Sequence, residues 1–272
     1  MRTIYLDCGM GAAGDMLTAA LIELLPDPAA TIDKLNALGI PGVHFEMEPS
    51  VKCGITGTHI SVTVHGEEED EDMHEHHHHH HEHEHEHEHE HGHHHHHSGM
   101  ADIEHIVTGH LDLPDKVKQD VLSVFGLIAE AESHVHGKPV NEIHFHEVGS
   151  LDAVADISAV CLLINELKPD YITASPIHVG NGQVRCAHGI LPVPAPATAL
   201  ILKGVPTYSS DVMGELCTPT GAALLKHFVS DFGYQPIMLV EKIGYGMGKK
   251  DFEQANCVRA ILGESEIGRA HV

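Results

Sequence analysis

The sequence predicts a mixed α/β fold: a mixed sheet with packed helices, interrupted by a disordered loop rich in His and Glu. Three observations carry this. Segments that alternate apolar and polar residues interleave with segments of helical periodicity along the chain. Apolar residues make up 42% of the 272 residues and charged ones 20%, ordinary usage for a chain with a buried core. Seventeen of the thirty His crowd between Glu67 and His97, with twelve Asp or Glu and no Lys or Arg. The chain thus divides into an N-terminal α/β part (1–66), a His/acid-rich insert (67–99), the rest of the α/β domain (100–263) and a tail without fold signal (264–272).

Element by element, Thr3–Asp7 reads as a strand, and Cys8–Gly14 as a loop of small residues. Asp15 opens a helix with the stripe Leu17, Ala20, Leu21 and Leu24, stopped by Pro26 and Pro28. Val43–Glu48 and Thr58–Val64 alternate and form a hairpin or long β-connection through Pro49–Gly57. Asp102–His110 and Pro114–His136 are helical, separated by Leu111–Leu113 and Pro114. Glu142–Val148 alternates as a strand, and Ser150 caps a helix over Leu151–Leu167. Tyr171–Val179 is strand-like. Helices follow near Ala197–Lys203 and from Thr218–Gly221 to Phe228. Pro236–Lys242 and Asn256–Leu262 close the fold as strands, with the Gly-rich Gly244–Gly248 as a connection.

Composition also excludes functions. A net charge of −25 repels a phosphate backbone, and aromatics at 4% with no Trp make a poor base-stacking platform, so nucleic acid is no partner. No apolar run reaches the ~18–20 residues of a membrane helix, and Met1–Leu6 is too short and polar for a signal peptide. Six Cys without a C-x-x-C pair or a regular framework fit a reducing, cytoplasmic setting.

Chemistry is expected first in the tract. His81, His83, His85, His87, His89 and His91 alternate with Glu, so their imidazoles share one side of an extended chain, and His76 and His78 precede them. Between His74 and His97 there is no hydrophobic residue to bury, which predicts disorder. Imidazole suits nickel, copper and zinc. A floppy set of equivalent ligands gathers metal but cannot fix one reactive geometry. A sharper cluster follows: on a strand His144 and His146 share a face, and Phe145 and Glu147 the other. Asp152 and Asp156 stand at i, i+4 on the next helix, whose apolar residues run nearly all round, so both carboxylates sit at a core edge. Metal binding or catalysis competes here with a plainer role, Asp152 complementing the helix N-terminus.

Cys8 and Cys217 each lie near a helix start, where a thiol either gains thiolate character or is simply a small buried hydrophobe. Cys161 belongs to a core helix. Thr218, Thr220 and Gly221 at a helix N-terminus, and Gly246 with Lys249 in a Gly-rich segment, could seat an anion. Neither segment matches a Walker loop or a Rossmann fingerprint. His178 and His188, flanked by Gly and Pro loops, could join a site.

Five segments in order resemble one family: YLDCGMGAAGDM (Tyr5–Met16), HFHEVGSLDAVADI (His144–Ile157), HGILPVPAPAT (His188–Thr198), GELCTPTGAALL (Gly214–Leu225) and GYGMGKKD (Gly244–Asp251). They look like the nickel-insertion proteins of the nickel-pincer cofactor pathway, and the internal His tract is similar to that of family members. The resemblance implies a cyclometallase of the lyase class that inserts Ni2+ into pyridinium-3,5-bisthiocarboxylic acid mononucleotide. It implies consumption of CTP with Mn2+ or Mg2+, and delivery of the product to lactate racemase. His144, His146, Glu147, Asp152 and Asp156 are then the candidate nickel or general-base cluster, assigned by position. The resemblance also implies a further C-terminal domain associated with CTP, so a separate C-terminal polypeptide is a candidate partner and a homo-oligomer is open. The competing readings are a non-catalytic nickel store or metallochaperone, and a zinc hydrolase using His144 and His146.

Overall fold

The computed structural model describes residues 1–68, 99–143, 145, 151–186 and 189–266. Strand β1 (Arg2–Asp7) leads through a loop of small residues into α1 (Gly14–Ile22) and α2 (Pro28–Asn36). A hairpin of β2 (Val43–Lys52) and β3 (Ile55–Val64) follows, with β4 (Glu67–Glu68) beside it. Next come α3 (Met100–Gly109), α4 (Asp115–His136), a 3-10 turn at Val140–Glu142 and α5 (Leu151–Leu167). Short strands β5 (Tyr171–Ala174), β6 (Ile177–His178), β7 (Gly180–Asn181), β8 (Gln183–Cys186) and β9 (Gly189–Pro192) precede α6 (Pro196–Ile201). The chain continues through β10 (Thr207–Tyr208), β11 (Gly214–Glu215), α7 (Pro219–Phe228), β12 (Asp231–Phe232), β13 (Met238–Met247) and β14 (Cys257–Ser265).

One mixed sheet joins the two sequence-distant parts, in the order β12-β5-β1-β14-β13-β3-β2, with β4 added to β3. β1 lies parallel to β5 on one side and antiparallel to β14 on the other, with Asp7 opposite Arg259. Alternation along β1 and β14 sends Ile4, Leu6, Val258, Ala260 and Leu262 into the core shared with the helices. α1 buries Met16, Leu17, Leu21 and Ile22 between the sheet and α5. Burying one such leucine contributes about 1.5–3 kcal/mol, so this helix fixes the loop that precedes it. Among the described residues no helix is long and apolar enough to cross a membrane.

Four sequence expectations need correction. Pro49–Gly57 is not a connection, because Pro49 pairs with Thr58 and Ser50 with Gly57, and the ladder runs on to Lys52 and Ile55. The Gly-rich Gly244–Gly248 is no connection, because β13 runs through it as far as Met247. A Cβ on Gly244 would lie 2.1 Å from the Ala20 carbonyl oxygen, and one on Gly246 1.9 Å from that of Met16. These glycines let α1 settle directly on the strand. Glu142 does not open a strand but ends a 3-10 turn, because Pro139 starts that turn and its carbonyl accepts the Glu142 N–H at 2.9 Å. Ile143 and Phe145 beyond it are each 4% exposed. The span Tyr171–Val179 is interrupted at Ser175 and Pro176, where Ser175 turns to serve β1.

Candidate functional site

The loop between β1 and α1 occupies the carboxyl end of β1, beside that of the parallel β5, where open α/β sheets place ligands. Asp7 closes the strand: its Oδ2 accepts from Arg259 Nη2 at 2.6 Å and its Oδ1 from the Gly9 N–H at 3.2 Å. The Cys8 N–H donates to Ser175 Oγ at 2.8 Å, and the Cys8 carbonyl accepts from the His178 and Gly11 N–H groups. Gly11 has φ +79°, and a Cβ there would lie 1.9 Å from the Leu216 carbonyl oxygen. Only glycine fits. Ala12 then pairs with the segment before α7, donating to Leu216 O and accepting from Thr218 N, each at 3.0 Å.

Helices α5 and α7 both abut this loop. Asp156 lies against the first turn of α1, so close that a Cβ on Gly14 would sit 2.4 Å from its Oδ2. The N-cap of α1 is Ala13, which has no side-chain acceptor, and the Asp156 carboxylate supplies negative charge where the helix dipole calls for it. Asp152 Oδ1 accepts from the Ala153 N–H at 2.7 Å in the first turn of α5, as the plainer reading of that residue expects. Thr218 caps α7 through a 3.2 Å bond from Gly221 N–H, and its hydroxyl lies 2.9 Å from that of Thr220. Gly221 permits close approach to Ala12, whose carbonyl oxygen would be 2.1 Å from an added Cβ.

Two side chains, His178 and Tyr208, roof the loop. His178 is 3% exposed; its Nδ1 accepts from Gly180 N–H at 3.1 Å, which leaves the proton on Nε2, donated to Ser210 Oγ at 2.8 Å. Burial pushes its pKa below the usual imidazole value, against a smaller opposing pull from Asp211. Tyr208 packs edge-on against the His178 ring at 4.6 Å and donates to the Gly9 carbonyl at 3.4 Å. Cys8 and Cys217 are fully buried. Burial raises the Cys8 thiol well above its ordinary value, with Cys217 and Asp7 adding to the rise, and pushes Cys217 up to about 12. Of the two readings of these thiols, the small buried hydrophobe is the one the fold favours: desolvation outweighs any helix-terminus effect. Cys161 is equally buried in α5, as expected of a core thiol.

Of the residues singled out by sequence, Asp156, Thr218 and Gly221 thus converge on Ala12–Gly14, while Thr220 and Asp152 flank them. Gly246 and Lys249 do not join them. Gly246 faces Met16 within the sheet packing, and the Lys249 carbonyl accepts from Lys52 Nζ at 3.3 Å. His144, His146, Glu147, His188 and the tract positions His76, His78, His81, His83, His85, His87, His89 and His91 lie outside the described residues. Among the described residues no three His, Cys, Asp or Glu converge as a metal site. Asp7, Ser175, Tyr208 and Arg259 were missed. Only Asp7 carried a signal, a carboxylate ending a strand ahead of a glycine-rich turn. A concavity of about 320 Å³ elsewhere, under the β2–β3 hairpin, is lined by Glu23 and Thr58, which bond each other at 2.7 Å.

The model of a protein family described as nickel insertion protein matches residues 4–272. The chain belongs to that family. It is 43% identical to the pyridinium-3,5-bisthiocarboxylic acid mononucleotide nickel insertion protein of Clostridium kluyveri, over 98% of this chain and 63% of the relative. The same-named protein of Clostridium acetobutylicum is 44% identical over 98% of this chain and 65% of its own length. That of Desulfitobacterium hafniense is 40% identical over 97% and 59%. The chain therefore spans about three fifths to two thirds of the length of these curated relatives. No solved structure matches it.

Proposed function

We propose that this chain collects Ni2+ and inserts it into pyridinium-3,5-bisthiocarboxylic acid mononucleotide, the compound named in its relatives. One observation carries the reading: Gly99, the first described residue after the His tract, lies against Ile143, with its open side 3.6 Å from the Ile143 carbonyl oxygen. The fold thus tethers the end of the tract beside the residue that precedes His144. In this reading His76, His78, His81, His83, His85, His87, His89 and His91 gather nickel. His144 and His146 receive it, and Glu147 or a carboxylate of α5 takes the ring proton displaced by the metal. Soft sulfur ligands on the substrate draw nickel from imidazole. The hydroxyls of Thr218 and Thr220 at the α7 N-terminus suit the nucleotide phosphate.

The lyase-type reaction with CTP and Mn2+ or Mg2+, delivery to lactate racemase, a cytoplasmic setting and help from a separate C-terminal polypeptide complete the proposal. The described residues do not fit a resident Mn2+ or Mg2+, since no cluster of three acidic or other ligating groups forms among them. No step is therefore routed through CTP here. The same observation favours a second reading, a nickel store or chaperone without chemistry.

Mixing purified chain, Ni2+ and the precursor, with and without CTP, and following the pincer product by mass tests the proposal. Product formation supports insertion. Nickel uptake with no product under either condition, and with a relative's full-length protein active in parallel, leaves only storage. Deleting Glu67–His97 separates the roles further: an inserting protein still makes product when nickel is abundant, whereas a store loses most of its nickel.

A further inference from the structure

Helix α3 buries Ile103 and Val107 and turns His105 to solvent. His110 caps the helix, its N–H donating to the Ile106 carbonyl at 2.9 Å, and its ring swings back over the last turn. The two Nε2 atoms stand 3.3 Å apart, with the rings edge to face at a centroid distance of 5.0 Å. Both residues are exposed. Neither is held by chance alone: the backbone on either side of His110 is pinned, with Asp112 N–H bonded to Leu38 O at 3.0 Å.

That spacing is what a single metal ion imposes on two imidazoles. With metal–nitrogen bonds of about 2.0–2.1 Å, two ligating nitrogens lie about 3.0 Å apart at a right angle and about 3.4 Å apart at a tetrahedral one. We propose that His105 and His110 form a surface chelate for one late first-row divalent ion, nickel in the setting inferred above. Imidazole suits nickel, copper and zinc. In the free pair one Nε2–H donates to the other Nε2. On binding, that ring takes the Nδ1–H tautomer, so both Nε2 lone pairs face the ion with no net loss of a proton, and water fills the remaining positions. Because both ligands sit on a packed helix end, little ordering is needed.

The pair shares no residue with the candidate cluster of His144, His146, Asp152 and Asp156. His105 lies six residues beyond Gly99, about 9 Å along the helix, which makes the chelate a station between bulk solvent and the segment at Ile143. The choice of nickel rests on the insertion reading, whereas chelation of a divalent ion does not.

Peptide-resolved labelling of His by diethyl pyrocarbonate tests this on the full chain, titrated with NiCl2 and separately with ZnCl2. We expect His105 and His110 to become protected together, with one midpoint. In His105→Asn, protection of His110 should need about a hundredfold more metal, the loss of one arm of a two-point attachment. The substitution is on the surface, and an unchanged circular dichroism melt checks the fold. Equal protection of His110 in wild type and His105→Asn overturns the chelate, as does unaltered labelling of both rings at metal concentrations that protect other histidines. Protection without any nickel insertion leaves the chelate standing and defeats the insertion reading. Insertion without protection does the reverse.

Discussion

Two glycine-rich stretches, Gly9–Gly14 leading into α1 and Gly244–Gly246 in β13, look alike in sequence and do different work. In the first, Gly11 adopts φ +79° and the chain turns across the carboxyl end of β1. In the second, the glycines keep ordinary strand geometry, and their missing side chains admit the backbone of α1. One stretch shapes a site and the other lets a helix touch a sheet. Glycine content therefore marks a close approach, and what approaches decides the function.

Substitutions can break this comparison. The largest effect is expected for Gly246→Val, whose side chain must displace α1: urea unfolding should show a loss of about 3 kcal/mol or more. Gly11→Ala meets both positive φ and the Leu216 carbonyl, but the loop around it carries less packed structure than the α1–sheet contact. A loss of about 2 kcal/mol is expected, measured in the same urea unfolding. If Gly11→Ala proves costlier than Gly246→Val, the division of roles is wrong. Thr218→Ala removes the α7 cap and should cost about 1 kcal/mol, read from the same unfolding curves.

Smaller effects sharpen the picture of the loop. His178 stays neutral when folded, and its pKa lies below the usual ~6.5 of the unfolded chain. The unfolded state thus binds the proton first. The contribution of this group is intact above about pH 6.5 and falls as pH drops through the unfolded value toward the folded one. His178→Gln should flatten stability against pH below about 6.5, the unfolded value of the imidazole. An equally steep dependence in that variant would place the acid sensitivity elsewhere. Last, Cys8 and Cys217 should resist a thiol reagent until the chain unfolds, while the exposed Cys53 reacts at once. Rapid labelling of Cys8 in the native protein would mean that the loop opens.

Much of the fold was legible because local patterns and tertiary demands agree. The helix Leu151–Leu167 follows from an apolar run too long for a strand, and the paired cores of β2 and β3 follow from alternation. The site was less legible. Asp156 was picked out as a carboxylate at a core edge, but its neighbour is the N-terminus of α1, over a hundred residues away in sequence. The pairing of Asp7 with Arg259 has the same character: no local signal links a residue of β1 to one of β14 until the strands align. The sequence left Cys8 open between a reactive thiol and a small buried hydrophobe for a related reason, since proximity to a helix start is a local property and burial is not.

The chain alone determined its element types, its acidic surface, the His-rich tract and the motifs that mark its family, because each depends on residues near one another in sequence. Tertiary structure decided which glycines turn and which pack, and which carboxylate meets which helix end. Those outcomes depend on desolvation and on backbone contacts between distant segments, and both come into being only when the sheet closes.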